Sequence, residues 1–240
     1  RTGDLQIRLV TSDGLLDEDG FVAACGGHGA FWSRMYDVGE TTQGGETIKL
    51  AGNRTLEEEL CGLSFSIAPN AFFQTNTEMA EQLYGIAGDL ADLKGWERVY
   101  DLYCGIGTVG LSLAARAGEV WGLEIVEQAV ANAISNAKRN GINNAKFFAG
   151  DVRLALRELV DEASRPDVCV IDPPRAGAKA QAEQIARSKV PLVISVSCNP
   201  STFARDAAIL AQGGYKLASI QLIDQFLWSA HSEVVGVFRR

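Results

Sequence analysis

The chain has 240 residues, with 22 Lys and Arg against 30 Asp and Glu, a formal net charge of −8, and 47% hydrophobic residues. That composition excludes a disordered or fibrous chain, and the length leaves room for one large domain or a domain with a smaller companion. No apolar run approaches the roughly 18 residues of a membrane span and no basic-then-apolar leader opens the sequence. A cytoplasmic chain without a membrane partner is therefore expected. It begins at Arg1 without an initiator Met and reads as the C-terminal part of something longer. The acidic balance, taken alone, argues against a nucleic-acid partner.

From Arg1 to about Asn70, short β-like runs alternate with Gly and Asp. They are Leu5–Thr11, Phe21–Ala24, Ala30–Tyr36, Thr47–Leu50 and Leu63–Ile67. Turn formers such as Ser12-Asp13-Gly14 and Gln43-Gly44-Gly45 separate them, which predicts antiparallel hairpins. From about Thr75 the pattern switches to helices alternating with strands. Thr77–Leu93 is apolar at helical spacing, a strand ends in Val99–Tyr103, and a helix runs from about Thr108 to Arg116. Strand Val120–Leu123, helix Glu127–Asn140, strand Lys146–Ala149, helix Val152–Glu162 and strand Asp167–Ile171 follow. Then come helix Ala178–Ser188, strand Leu192–Val196 and helix Ser201–Gln212. Two strands near Tyr215–Leu222 and Ser232–Phe238 close the chain without a helix between them. The prediction is an α/β fold: a small β-rich subdomain over 1–70, then a largely parallel sheet covered on both faces over 71–240. The last strand pair adds an antiparallel insertion, as in the class I (Rossmann-like) methyltransferase sheet.

Asp101-Leu-Tyr-Cys-Gly105-Ile-Gly107-Thr-Val-Gly110 leaves a strand and opens a helix. Gly105 and Gly107 permit a sharp turn and close approach to a ligand, with helix N–H groups beyond. Glu124 ends the next strand, where a carboxylate accepts ribose hydroxyls. The third strand ends at Gly150-Asp151 and the fourth at Asp172-Pro-Pro-Arg175, all at the edge where open α/β sheets bind ligands. Polar tips on four successive strands point to an adenosine. On these residues alone a nicotinamide dinucleotide remains an alternative.

Five cysteines stand far apart at Cys25, Cys61, Cys104, Cys169 and Cys198, so their spacing argues for no metal site and for reduced thiols. Most read as small buried hydrophobes. Cys198 differs, because it lies just past the fifth strand and just before a helix, whose positive end is expected to favour the thiolate. At the far end, His231 and Glu233 are two apart at a strand entrance. Period-two geometry predicts that they share a face, and the apolar residues after Glu233 predict a sheltered acid suited to general base work.

Phe73-Gln74-Thr-Asn76, Asp101-Leu-Tyr-Cys-Gly, Asp172-Pro-Pro-Arg175, Ser197-Cys198-Asn-Pro-Ser-Thr and His231-Ser-Glu233 together resemble the RNA uridine-5 methyltransferases. These make 5-methyluridine in tRNA and bacterial 23S rRNA, and the resemblance runs from about Ala68 to the C-terminus. It implies methylation of uridine carbon 5 by S-adenosyl-L-methionine, with Cys198 as nucleophile and Glu233 as base. Gln74, Tyr103, Gly105, Gly107, Thr108, Glu124, Asp151 and Asp172 are implied cofactor residues, with Thr108 standing where the family often has Asn. Phe72, Phe73, Arg175 and His231 are substrate candidates, since a target uracil must leave its stack to meet a thiol.

The resemblance also implies an RNA partner, rRNA ahead of tRNA, with no DNA, and a monomer is expected. The family's iron–sulfur site is expected only in a part of the protein not present here. An RNA cytosine-5 methyltransferase and an inactive RNA-binding relative are the alternatives. RNA binding is reconciled with the acidic balance by its distribution. Residues 1–70 carry 5 basic and 11 acidic residues, which leaves 17 against 19 for the rest. Much of the phosphate affinity is accordingly expected upstream of Arg1, with weak RNA binding by this chain alone.

Overall fold

In the computed structural model, residues 1–36, 45–151 and 165–240 are described; the helix expected at Val152–Glu162 lies outside them. The chain divides into two compact units, Arg1–Phe73 and Gln74–Arg240.

The first unit contains β1 (Gln6–Thr11), α1 (Glu18–Ala24), β2 (Gly29–Arg34), β3 (Glu46–Ala51), β4 (Leu56–Leu60) and β5 (Leu63–Ile67). Phe21–Ala24 is therefore helical, correcting the expected strand. Asp17 accepts a hydrogen bond from the Gly20 N–H, and Glu18 and Asp19 sit at the positive end of the helix, outweighing the β preference of Phe-Val. With a helix between them, β1 and β2 pair in parallel, while β2–β3 and β4–β5 are antiparallel. β4 was not anticipated, because Glu57-Glu58-Glu59 hides a strand pattern. Its hairpin turns at Cys61-Gly62, both with positive φ, the conformation that matches strand twist in a two-residue loop.

The second unit holds α2 (Thr77–Ala91), β6 (Arg98–Leu102), α3 (Thr108–Ala114), β7 (Glu119–Glu124), α4 (Glu127–Arg139) and β8 (Ala145–Ala149). It continues with β9 (Val168–Ile171), α5 (Lys179–Ser188), β10 (Leu192–Ser197), α6 (Pro200–Gln212), β11 (Lys216–Ile223) and β12 (Glu233–Arg239). Seven strands form one sheet in the order β11-β12-β10-β9-β6-β7-β8. β8, β7, β6, β9 and β10 run parallel, and β12 enters antiparallel between β10 and β11, as the sequence predicted. β9, β10 and all of β12 but its last residue are buried, which explains their continuous apolar runs. Their core is built around Tyr100, Leu102, Ile171, Val193, Phe203 and Phe238. Because β12 runs backwards, its first residue lies at the same sheet edge as the carboxyl ends of the parallel strands.

One polar group inside this packing shapes the functional edge. Buried Asp206 on α6 accepts from the Ala178 N–H at the start of α5 (2.6 Å) and from Arg205 Nε (2.9 Å) and Nη2 (2.8 Å). Arg205 in turn donates to the Ala176 carbonyl (2.9 Å), tying the loop after β9 to α6. Truncation would strand a buried N–H. Asp206→Ala is expected to cost about 2–3 kcal/mol, measured as a lower denaturant midpoint at unchanged m-value.

Candidate active site

The glycine loop leaves β6 under visible constraint. Tyr103 has φ +68, uncommon for a non-glycine residue and found where surrounding structure enforces it. Gly105 has φ +54 and nothing within 4 Å of a notional Cβ, so open space lies above the loop. At Gly107 (φ +87) a Cβ would press on Leu111 and Phe147 at 3.1 Å, so that glycine serves packing as well. Glu124 organises the loop from β7: its Oε2 accepts from the Gly105 N–H (3.2 Å) and its Oε1 from the Val126 N–H (3.0 Å). Both oxygens keep a second lone pair for a ligand. Tyr103, Ile125 and Asp151 line a cleft of about 360 Å³ that continues to Gly177, Lys179 and Arg205. Thr108 begins α3 and its hydroxyl lies 3.3 Å from that of Tyr84.

Asp101, the first residue of the glycine-bearing segment, is wholly buried. Its Oδ2 accepts from the Gly110 N–H (2.8 Å), whereas Oδ1 has no partner among the described residues. Gln74 is buried and accepts from Gln225 Nε2 (2.7 Å), while Asn76 Nδ2 donates to the Gln225 carbonyl (2.8 Å). Asn76 also caps α2 through the Met79 N–H. Gln225 was missed because nothing local marks it; its partners lie about 150 positions away.

Cys198 follows β10 directly. Ser197 closes the β10–β12 ladder opposite Val234, so Cys198 leaves β10 beside the head of β12, near enough to Glu233 to feel its charge. Glu233 is only 5% exposed and Cys198 is partly buried. Asn199 caps α6 through the Ser201 N–H and Pro200 begins it. Asn199 Nδ2 (3.1 Å) and the Thr202 hydroxyl (3.2 Å) also donate to the Arg175 carbonyl. The Cys-Asn-Pro-Ser-Thr and Asp-Pro-Pro-Arg segments are thereby one hydrogen-bonded construction. Arg175 Nη2 reaches His231 Nδ1 at 3.3 Å.

Two expectations are corrected. His231 and Glu233 do not share a strand face: His231 precedes β12 and is exposed, whereas Glu233 opens it buried. The Cys198 thiol is pushed up rather than down, by burial first and then by the Glu233 and Asp172 carboxylates, with Arg175 and a backbone hydrogen bond opposing. Desolvation and two nearby anions outweigh the helix end. Phe72 and Phe73 belong to the first unit, Phe72 exposed and Phe73 tilted against Phe65 at 6.0 Å.

Burial also holds the carboxyls up: Asp101 to about 7, further raised by Asp172 and Glu124; Asp172 to about 6; and Glu233 to about 7, raised further by Asp172 and lowered by Arg175. Among the described residues no group of three or more His, Cys, Asp or Glu could hold a metal, and no helix is long and apolar enough to cross a membrane.

The sequence model of the tRNA (uracil-5-)-methyltransferase family matches residues 54–240. A Bacillus cereus chain described as an uncharacterized RNA methyltransferase is 40% identical, over 100% of this chain and 54% of its own length. An Enterococcus faecalis chain of the same description is 42% identical, over 82% of this chain and 43% of its own. This chain thus spans about half the length of the relatives it matches. Among solved structures, the Pyrococcus abyssi tRNA (uracil-54, C5)-methyltransferase in complex with S-adenosyl-L-homocysteine is similar. Its TM-score is 0.78 at 29% identity, covering 99% of this chain and 57% of that one.

The raised carboxyls generate a stability prediction. A carboxyl with a raised folded-state pKa binds protons more tightly folded than unfolded, so stability falls as pH rises. The penalty is absent below the ordinary values near 4, grows through the window, and is complete above about 7. Thermal unfolding of the ligand-free protein should give a higher midpoint at pH 5 than at pH 7.5. Asp101→Asn, which keeps an acceptor for Gly110, should narrow that difference.

Proposed function

Because this chain belongs to the tRNA (uracil-5-)-methyltransferase family, we propose that it transfers a methyl group from S-adenosylmethionine to carbon 5 of a uridine in RNA. Cys198 is the nucleophile and Glu233 the general base. The observation that carries this reading is that Cys198 leaves β10 directly after Ser197, which pairs with Val234, and so lies near buried Glu233 at the head of β12, at the edge that also bears the glycine loop. The loop fits the methyl donor: space is open over Gly105, Glu124 retains acceptor capacity, and Asp101 Oδ1 is a buried acceptor still lacking a donor among the described residues. Gln74, Tyr103, Gly105, Gly107, Thr108, Glu124, Asp151 and Asp172 would hold it. When bound, S-adenosylmethionine supplies an electrophilic methyl group.

Carbon 5 of uracil is a weak nucleophile, and Cys198 corrects this by covalent catalysis. Its thiolate Sγ forms a bond to carbon 6, and the C5=C6 π pair moves toward carbon 5 and O4 as an enolate. Once carbon 5 carries the methyl, Glu233 takes its proton. The C–H pair restores the double bond while the Sγ–C6 bond breaks, which returns the thiolate. Arg175 is the cation that favours ionisation of both Cys198 and Glu233. Its tie to His231 and its carbonyl's bonds to Asn199 and Thr202 fix that position.

Ribosomal RNA is the substrate expected from the resemblance. Transfer RNA is the second reading, favoured by the family's description and by the Pyrococcus abyssi enzyme. Mass mapping of 5-methyluridine in both RNAs from cells lacking the gene separates them, and 5-methylcytidine in its place would overturn the uracil assignment.

Cys198→Ala and Glu233→Gln are each expected to lower methyl transfer by about 10³-fold or more while S-adenosylmethionine affinity, read by calorimetry, stays within about threefold. Undiminished turnover in the Cys198 variant would sink the mechanism. Since Glu233 must be ionised to act, the rate should climb with pH through about 7. Residual activity of Glu233→Gln should lack that limb.

A further inference from the structure

The connection from β11 to β12 holds a tryptophan out in water. Trp228 is fully exposed (103%), with Leu227 beside it at 70%. An indole left in solvent forgoes the burial that normally stabilises so large a side chain. Its backbone is also unfavourable, at φ +71, a region costly for a bulky residue and encountered chiefly at functional sites.

The turn around it is ordered. The Ser229 N–H and hydroxyl both donate to the Phe226 carbonyl (3.0 and 2.8 Å), and the His231 N–H donates to the Ser229 hydroxyl (3.2 Å). Upstream, Gln225 is anchored by its buried bond to Gln74 and by Asn76. The segment is thus pinned on both sides of Trp228. Three residues further on, His231 meets Arg175, and five residues on, Glu233 lies near Cys198.

Resting on the RNA methyltransferase reading above, we propose that Trp228 is a stacking platform for an unpaired RNA base next to the target uridine. Extruding a uridine leaves its neighbours unstacked, and a rigid indole face replaces the lost stacking contact. The polar surroundings suit a nucleotide, whose ring has apolar faces but whose rim and phosphate need donors. Exposed Arg175 offers a guanidinium on the adjoining residues, where a purely apolar protein partner would find a charge to desolvate. The contact is independent of sequence-specific hydrogen bonding, because every base has a π face.

The test uses the 240-residue chain and a dodecamer of oligouridylate carrying one central 2-aminopurine, with binding read by anisotropy and stacking by quenching of the probe. The wild type should quench it. Trp228→Ala should lose the quenching and weaken binding about 5- to 150-fold, and Trp228→Phe should keep most of both. S-adenosylmethionine affinity should be unchanged in each variant, which also reports that the unit is folded. Three results overturn the proposal: equal binding and quenching by Trp228→Ala, no quenching by the wild type at its highest soluble concentration, or a Trp228→Ala effect confined to self-association in sedimentation. Methyl transfer is assayed separately. Intact transfer without a Trp228 effect counts against the platform alone, and stacking without transfer counts against the methyltransferase reading alone.

Discussion

β12 enters the sheet between β10 and β11 with Ser197 facing Val234, and this register decides which side chain meets Cys198. A slip by one residue would send every β12 side chain to the opposite face, taking the carboxyl of Glu233 away from the sulfur. Such a slip is opposed by the burial of six consecutive residues, Glu233 to Phe238, on a strand covered on both sides. The acid–thiol pair is therefore fixed by the same apolar packing that stabilises the centre of the sheet. The proposed chemistry depends on a hydrophobic constraint before it depends on any polar one.

That constraint has an electrostatic consequence. Converging strand ends bring Asp101, Asp172 and Glu233 together in partly desolvated surroundings, and each is driven upward. Burial and the Glu233 and Asp172 carboxylates push the Cys198 thiol up as well. A site with too many carboxyls and one nearby guanidinium is poised for a ligand that brings positive charge and hydrogen-bond donors. Some stability is given up in this crowding, as functional sites commonly require.

Local chemistry then orients what the sheet brings together. The Cys-Asn-Pro-Ser-Thr segment carries the proposed nucleophile, caps α6 and grips the Arg175 carbonyl in the space of a few residues. Asp206, one turn further along α6, holds the start of α5. Motifs that look like separate signals in the sequence are two halves of one hydrogen-bonded clamp. Gln74, Asn76 and Gln225 form a comparable clamp at the other end of the β11–β12 connection.

The sequence by itself determined the alternating α/β order, the antiparallel last strand and the chemistry-bearing tips of the strands. Those features are encoded locally, by hydrophobic period, glycine placement and residues directly after apolar runs. Short elements were less legible: α1 read as a strand because Phe-Val-Ala-Ala carries no helical period, and only Asp17 and the acidic first turn tip it over. The separation of His231 from Glu233, the upward shift of Cys198, the Asp101 acceptor left without a partner among the described residues and the role of Gln225 were decided by the tertiary structure alone. Each depends on desolvation or on a partner far away in the chain, and neither burial nor a long-range neighbour is written in a residue's immediate sequence.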